Sequence, residues 1–310
     1  MPAGYLAILC AREDYGLLAP CVANLRSIGF DHVLVACIEA FAEQLSEVQA
    51  SFASTGDVSA IPVRPPFDKG SLLDLSGPYL GPIIERHRPE WLFMLDVDEF
   101  PVVRGGHLSG LRGLAEADLL KVQRYNFARR QGETEAEILA RLTAPSRIPL
   151  IAKRRNSSLD LGTDSGPRWS FHQIAPRVMI RPDRFERLEI GAHKVSHRQG
   201  AEHTPRQIEC TDMCVVHLPF TSYARFEQKL RNIEDHLSHV DYMTGSRAWH
   251  WKWWLRRFRE GALAEEYERE GLSAAEFAAM EAAGSIYSPE EWIAAEGATS
   301  LPSDDKGGPR

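Results

Sequence analysis

The chain of 310 residues is 44% hydrophobic and 25% charged, enough apolar material for a sizeable core, which excludes a disordered or collagen-like protein. Its 36 Lys and Arg against 43 Asp and Glu leave a formal net charge of -7, so no nucleic-acid partner is expected. No stretch is long and apolar enough to span a bilayer, no leader pattern is evident, and five scattered cysteines do not make a disulfide scaffold. The expected location is therefore cytoplasmic, with peripheral contact at the inner face of the membrane kept open by a tryptophan-rich segment.

Residues Tyr5 to Ala11 form a short apolar run, and Leu18, Cys21, Val22, Leu25 and Ile28 carry the spacing of a helix buried on one face. Gly29 ends that helix, and His32 to Ile38 reads as the next buried strand. A helix from Glu39 to Phe52, a strand at Val58 to Val63, a Pro- and Gly-rich loop, a helix from Leu72 to His87 and a strand at Trp91 to Leu95 follow. Strands alternating with helices at this interval predict an α/β fold with a mostly parallel central sheet, helices on both faces, and a ligand site beyond the strand C-termini.

The middle of the chain is less regular. Leu119 to Tyr125 and Gln173 to Ile180 read as extended, 131 to 170 as polar with several turns, and Cys210 to Leu218 as an apolar run ending at Pro219. From Ser222, the positions Phe226, Leu230, Ile233 and Leu237 make a helical stripe. Ser273 with Glu276 reads as a capping box, Ser288-Pro289-Glu290-Glu291 as a helix start, and 301 to 310 as a disordered tail. The expected organisation is a catalytic domain over 1 to 245, a C-terminal helical segment over 246 to 300, and that tail.

Asp96 and Asp98 follow directly after a buried strand, where a turn lets both carboxylates address one hard cation whose open positions a diphosphate can fill. A solvated loop after a core strand is the alternative, and Phe100-Pro101 argues against it by anchoring the turn. No Walker loop or Rossmann glycine fingerprint is present.

WLFMLDVDEF, residues 91 to 100, resembles the W-x-x-x-L-D-x-D-E-F block of a branch of the GT-A glycosyltransferases of the family 2 type. Ala11-Arg12-Glu13-Asp14, then Gly29-Phe30-Asp31-His32, is similar to the family's opening, and His217 followed by Ser222, Phe226 and Lys229 to its third block. The resemblance covers about residues 5 to 235 and implies a GT-A fold and a metal-dependent, inverting transfer of sugar from a nucleoside diphosphate to a saccharide or other hydroxyl acceptor. It implies Mn2+ or Mg2+ at Asp96, Asp98 and His217, with the nucleotide, UDP in preference to GDP, contacted by Arg12, Asp14 and Asp96. The loop after the second strand departs from the family, reading Ala36-Cys37-Ile38-Glu39-Ala40, and Glu39 is the candidate in place of an absent aspartate. His193 is the candidate near the acceptor.

An inverting displacement needs a base opposite the leaving group. Asp212 is the first candidate, because it precedes His217 on the run entering the site, with Asp164, Glu189 and Glu209 as substitutes. Cys210 and Cys214 invite a zinc reading with His217, but on a strand the two thiols lie about 13 Å apart, so they read as core thiols. Trp249 to Trp254 places Trp251 and Trp254 on one helical face and Trp249 and Trp253 on another. Core packing, a saccharide platform and a membrane-interface anchor are the three readings of that segment. Two rivals to the transferase remain: a phosphohydrolase, disfavoured because no acid pair follows the first strand, and a degenerate GT-A carbohydrate-binding or regulatory protein.

Overall fold

The computed structural model describes residues 4–12, 15–38, 42–63, 72–152, 168–189, 191–197, 204–239 and 249–299. Asp14, Glu39 and Asp164, and the tail from 301 to 310, lie outside the described residues.

The alternating first third forms as its patterning requires. Strand β1 (Tyr5–Ala11) sends Ala7 and Leu9 into one core and Leu6 and Ile8 into the other, which is why the run is apolar at nearly every position. Helix α1 (Tyr15–Ser27) buries Leu17, Leu18, Cys21, Val22 and Leu25. Gly29, at φ +102, reverses the chain where a Cβ would meet the His107 ring at 2.4 Å. Strand β2 (His32–Ile38), helix α2 (Ala42–Phe52), strand β3 (Val58–Val63) and strand β4 (Trp91–Asp96) complete the pattern.

The helix expected over 72 to 87 is broken, and its regular part is α3 (Gly81–His87). The cause is local: the Asp74 carboxylate accepts hydrogen bonds from the Ser76 amide and hydroxyl, both at 2.9 Å, and so ties a turn ahead of Pro78.

Strand β5 (Glu99–Val103) is separated from β4 by only two residues, where the sequence pattern showed only an anchored turn. It is followed by β6 (Leu119–Asn126), helix α4 (Glu135–Arg141), and the short β7 (Leu150–Ile151), β8 (Arg177–Ile180), β9 (Phe185–Leu188) and β10 (Val195–His197). A capping box of Thr134 and Glu137 opens α4 within the segment that read as irregular. Strand β11 (Gln207–His217) leads to the C-terminal helices α5 (Tyr223–His239), α6 (Trp249–Arg259), α7 (Leu263–Glu270), α8 (Ala274–Ala282) and α9 (Pro289–Thr299), with β12 (Ile286–Tyr287) before the last. The capping box of Ser273 and Glu276 forms as expected. None of the described helices is long and apolar enough to cross a membrane.

The main sheet has eight strands in the order β3-β2-β1-β4-β8-β6-β11-β5. Strands β3, β2, β1 and β4 pair in parallel, β8 is antiparallel to β4 and β6, β11 is parallel to β6, and β5 is antiparallel to β11. The sheet is thus mixed, most strands running one way, with helices on both faces, consistent with GT-A architecture. The three-residue step from Asp96 to Glu99 spans at most about 11 Å, whereas four strand spacings in a flat sheet amount to about 19 Å. The sheet therefore curls, and the C-terminal ends of β4, β6 and β11 converge with the first residues of β5 and β8.

One core lies beneath α1, α2 and α9, whose Trp292 and Ile293 join it. The second, on the opposite face, packs against α3 and the β9–β10 hairpin. A third, built from Phe226, Leu230, Trp254, Leu255 and Tyr267, joins α5, α6 and α7 to Trp169.

Candidate active site

The convergence of strand ends, with the helix that follows β11, gathers polar side chains around the Asp96 to Glu99 turn. Glu99 is fully buried, accepts from Arg177 Nε at 3.1 and 2.7 Å through its two oxygens, and is joined by Arg124. Burial alone raises its carboxyl, but Arg177 and Arg124 overcome that and bring it to about 2. Glu99 also accepts the Asp96 amide at 3.0 Å, so it braces the turn from within. Arg177 continues to the Asp96 carboxylate and to the Gly191 carbonyl.

Asp98 faces the other way. Its backbone carbonyl accepts the Leu218 amide at 2.8 Å, which fastens the turn to the end of β11. Its Oδ2 lies 3.3 Å from Lys229 Nζ on α5 and 3.5 Å from His217 Nε2. Burial raises the Asp98 carboxyl, and Lys229 and His217 more than reverse this, holding it well below the usual carboxylate range. The other oxygen, Oδ1, is buried and makes no hydrogen bond among the described residues.

His217 is oriented by Asn126. The Asn126 Nδ2 donates to the carbonyls of Trp169 and Ser170, at 3.4 and 3.2 Å, so its Oδ1 must face the imidazole. That oxygen accepts from His217 Nδ1 at 2.9 Å, which leaves Nε2 toward Asp98. Trp169 packs edge-on to His217 at 5.5 Å and lies 5.3 Å from His250, which burial first, then Lys229, pushes down to about 3.

Two groups here could ligate a divalent cation: the buried Asp98 Oδ1, which takes no hydrogen bond among the described residues, and His217 Nε2. Among the described residues no group of three or more His, Cys, Asp or Glu could hold a metal, so the remaining ligands would be phosphate oxygens and water.

His193, the acceptor-side candidate, donates Nδ1 to the Pro176 carbonyl at 2.9 Å in the loop that Arg177 clasps through Gly191. Burial, with Arg124 and Arg177 nearby, lowers it to about 4. Arg12 emerges two residues beyond Cys10, which is in register with Asp96, and approaches Asp235 at 4.0 Å. Asp14 and Glu39 lie outside the described residues.

Asp212, the first candidate for the base, lies apart from this cluster. It sits five residues before His217, about 15 Å along β11, and is buried between Arg104 Nε at 2.7 Å and the Arg112 guanidinium at 2.7 Å. The Arg112 bonds foremost pull its carboxyl down, and a carboxylate held by two guanidiniums is a poor proton acceptor. Glu209 pairs with Lys121 at 3.3 Å on the same upstream stretch. Cys210 and Cys214 are buried free thiols, as their strand spacing required.

On α6, Trp254 and Leu255 are buried, and Trp251, Trp253 and Phe258 pack against the same core, as the core-packing reading expects. Arg256 covers the Trp253 ring at 4.4 Å, and the Trp249 side chain lies outside the described residues.

Arg124, Arg177, Asn126 and Trp169 were not anticipated. The available signal was the positions Leu120, Val122, Arg124 and Asn126, spaced two apart, in which an apolar alternation turns polar while the strand stays buried. Lys229 was matched only as part of a block and gained a role from its contact with Asp98.

No protein-family model matches the chain, and no curated protein matches it significantly. Among solved structures, the mannosyltransferase PcManGT from Pyrobaculum calidifontis, in complex with GDP-Man and Mn2+, is 13% identical, with 96% of this chain and 80% of that one covered and a TM-score of 0.31. Rv0371C from Mycobacterium tuberculosis H37Rv, in complex with manganese, is 11% identical over 74% of this chain and 98% of that one, with a TM-score of 0.30. A protein from Bacillus anthracis described as a glucose-1-phosphate thymidylyltransferase, in complex with sucrose, is 10% identical over 58% and 72%, with a TM-score of 0.30. At such identities and scores, none of the three assigns an activity to this chain.

Proposed function

We propose that the protein is a metal-dependent glycosyltransferase of the GT-A, family 2 type, which moves a sugar from a nucleoside diphosphate to the hydroxyl of a saccharide or other acceptor. The observation that carries this reading is the buried Oδ1 of Asp98, unbonded among the described residues, beside His217 Nε2 and Lys229, at the end of a strand closing in Asp-x-Asp.

Asp98 and His217 would hold Mn2+ or Mg2+, with Asp96 at the outer side of the turn. When bound, the ion supplies charge neutralisation for the departing diphosphate. Lys229 pairs with a phosphate oxygen in a charge-assisted hydrogen bond. Arg12, at the end of β1, faces the nucleotide side, and Asp14 and Glu39 complete the expected contacts there. Arg177 and Arg124 keep Glu99 ionised and the turn rigid, so Asp98 meets its ligand without reorganisation.

In the transfer, the acceptor oxygen bonds to the anomeric carbon as the bond from that carbon to the phosphate oxygen breaks. The acceptor proton passes to a base, the diphosphate leaves, and the configuration inverts. His193 orients the acceptor: it is neutral near pH 7, and with Nδ1 bonded to Pro176 its Nε2 accepts a hydrogen bond from the acceptor hydroxyl, while at about 4 it is too weak a base to keep the proton.

Thermal shift against UDP, GDP, CDP and dTDP sugars, with and without manganese, tests the reading. A metal-dependent rise with one nucleotide base is expected, and no such rise with any of them rejects it. A binding protein without transfer is the second reading, favoured by one observation: Asp96, Glu99 and Asp212 are all paired with arginines. Transfer to acceptor, or donor hydrolysis, above a metal-free control separates the two.

A further inference from the structure

Helix α7 ends in a buried carboxylate that belongs to none of the groups described above. Glu270 is 2% exposed, and its two oxygens accept from the Trp169 amide at 2.9 Å, the Ser170 amide at 3.0 Å and the Ser170 hydroxyl at 2.8 Å. These bonds hold the short turn Trp169–Phe171 in place by its donors. The acceptors of the same turn, the carbonyls of Trp169 and Ser170, are the groups that fix the amide of Asn126. Asn126 in turn receives His217 Nδ1. A continuous path of hydrogen bonds thus runs from the C-terminal helices to the imidazole beside Asp98.

The start of that path is itself anchored. The Leu272 amide donates to the Arg129 carbonyl at 2.8 Å and the Gln131 amide to the Leu272 carbonyl at 2.9 Å, so the end of α7 is sewn to the chain that leaves Asn126. A Cβ at Gly271 would lie 2.8 Å from Arg129 Nη2, so the junction is close-packed. A carboxylate is kept in such a place only if its acceptors are filled, and here they are filled by the backbone of one turn.

We infer that Glu270 is a positioning residue for His217, acting through the Trp169–Ser170 turn and Asn126 to hold the imidazole with Nδ1–H on the Asn126 carbonyl and Nε2 toward Asp98. The orientation matters because Nε2 must face Asp98 to share a cation with it, and a ligand nitrogen gives up any proton it carries when the cation binds. The role of this orientation in metal binding rests on the transferase reading, whereas the path of hydrogen bonds does not.

The test is long-range 15N NMR of the imidazoles in labelled protein without metal or nucleotide, with His217 assigned by the signal lost in His217→Gln. The native chain is expected to show a His217 Nδ1–H protected from exchange by its bond to Asn126, and both Asn126→Ala and Glu270→Gln are expected to lose that protection. Glu266→Gln is the control: it lies one turn away on α7, is equally buried, and is bonded by Arg269 instead of the turn. It is expected to leave the His217 signal unchanged. In the same variants, manganese affinity measured with nucleotide present is expected to fall at least tenfold for Asn126→Ala and Glu270→Gln and to stay within twofold for Glu266→Gln. If Glu270→Gln does not fold, Glu270→Asp retracts the carboxylate by one methylene and is read the same way. An equally protected His217 Nδ1–H in a folded Glu270 variant overturns the inference. Loss of that protection in a protein whose native form binds no manganese upholds the positioning path and removes the transferase reading.

Discussion

Arg177 and Glu99 form a fully buried ion pair in which one guanidinium Nε meets both carboxylate oxygens, at 3.1 and 2.7 Å. The pair joins the first residue of β8 to the first residue of β5, and through Asp96 it reaches the end of β4. Arg177→Met leaves Glu99 with Arg124 as its remaining cation and is expected to cost about 3 to 5 kcal/mol. Urea denaturation checks this, and a loss below about 1 kcal/mol would show that the pair does not brace the turn.

Asp98→Asn removes the charge that faces Lys229 and His217 while keeping the shape of the side chain. Metal-dependent nucleotide affinity is expected to drop at least tenfold by calorimetry, equivalent to about 1.4 kcal/mol. Unchanged affinity would remove Asp98 from the site.

His193→Gln is expected to lower turnover about ten- to a hundredfold with donor affinity nearly preserved, as loss of an acceptor-orienting contact would. Asp212→Asn is expected to behave in the opposite way, losing about 1 to 3 kcal/mol of stability through its bonds to Arg104 and Arg112 with turnover per folded molecule retained. Steady-state kinetics on both variants, beside their unfolding curves, separate the two roles, and proton NMR of the product from an α-linked donor reports the stereochemistry.

Stability is expected to fall with acid from about pH 6.5 downward. His32 and His193, lowered by burial to about 4, and His250, lowered to about 3, stay neutral in the fold, whereas their unfolded counterparts take up protons near 6.5. Glu99 acts in the same direction lower down, since its folded carboxyl at about 2 lies below the ordinary 4.5. In every case the unfolded chain binds more protons over the window, so the slope of stability with pH is positive. Urea midpoints at pH 7.5, 5.5 and 4 test this, and a midpoint that rises with acid contradicts it.

Trp254→Ala is expected to cost about 3 to 5 kcal/mol, because the indole is buried among Trp169, Phe220 and Phe226. Anionic liposomes are expected not to retain the intact chain in a flotation assay, since Trp251, Trp253 and Trp254 pack inward. Retention that Trp253→Ala abolishes would restore the membrane reading.

The sequence by itself determined the alternating α/β unit from Tyr5 to Asp96 and the acidic turn at its end. Strands buried on both faces, such as β1, must be apolar at nearly every position, and a helix such as α1 must repeat its apolar residues every three or four, so both periods are visible locally. The capping box at Ser273 was legible for the same reason, because all its partners lie within four residues. Only the tertiary structure decided which polar groups meet. Curling of the sheet, which no local period encodes, brings Arg177 to Glu99 across 78 residues, and packing of the C-terminal helices brings Lys229 to Asp98 across 131 and Glu270 to Ser170 across 100. The same geometry sends Asp212 away from the turn, because five residues of extended strand are long enough to separate two side chains that neighbour each other in the sequence.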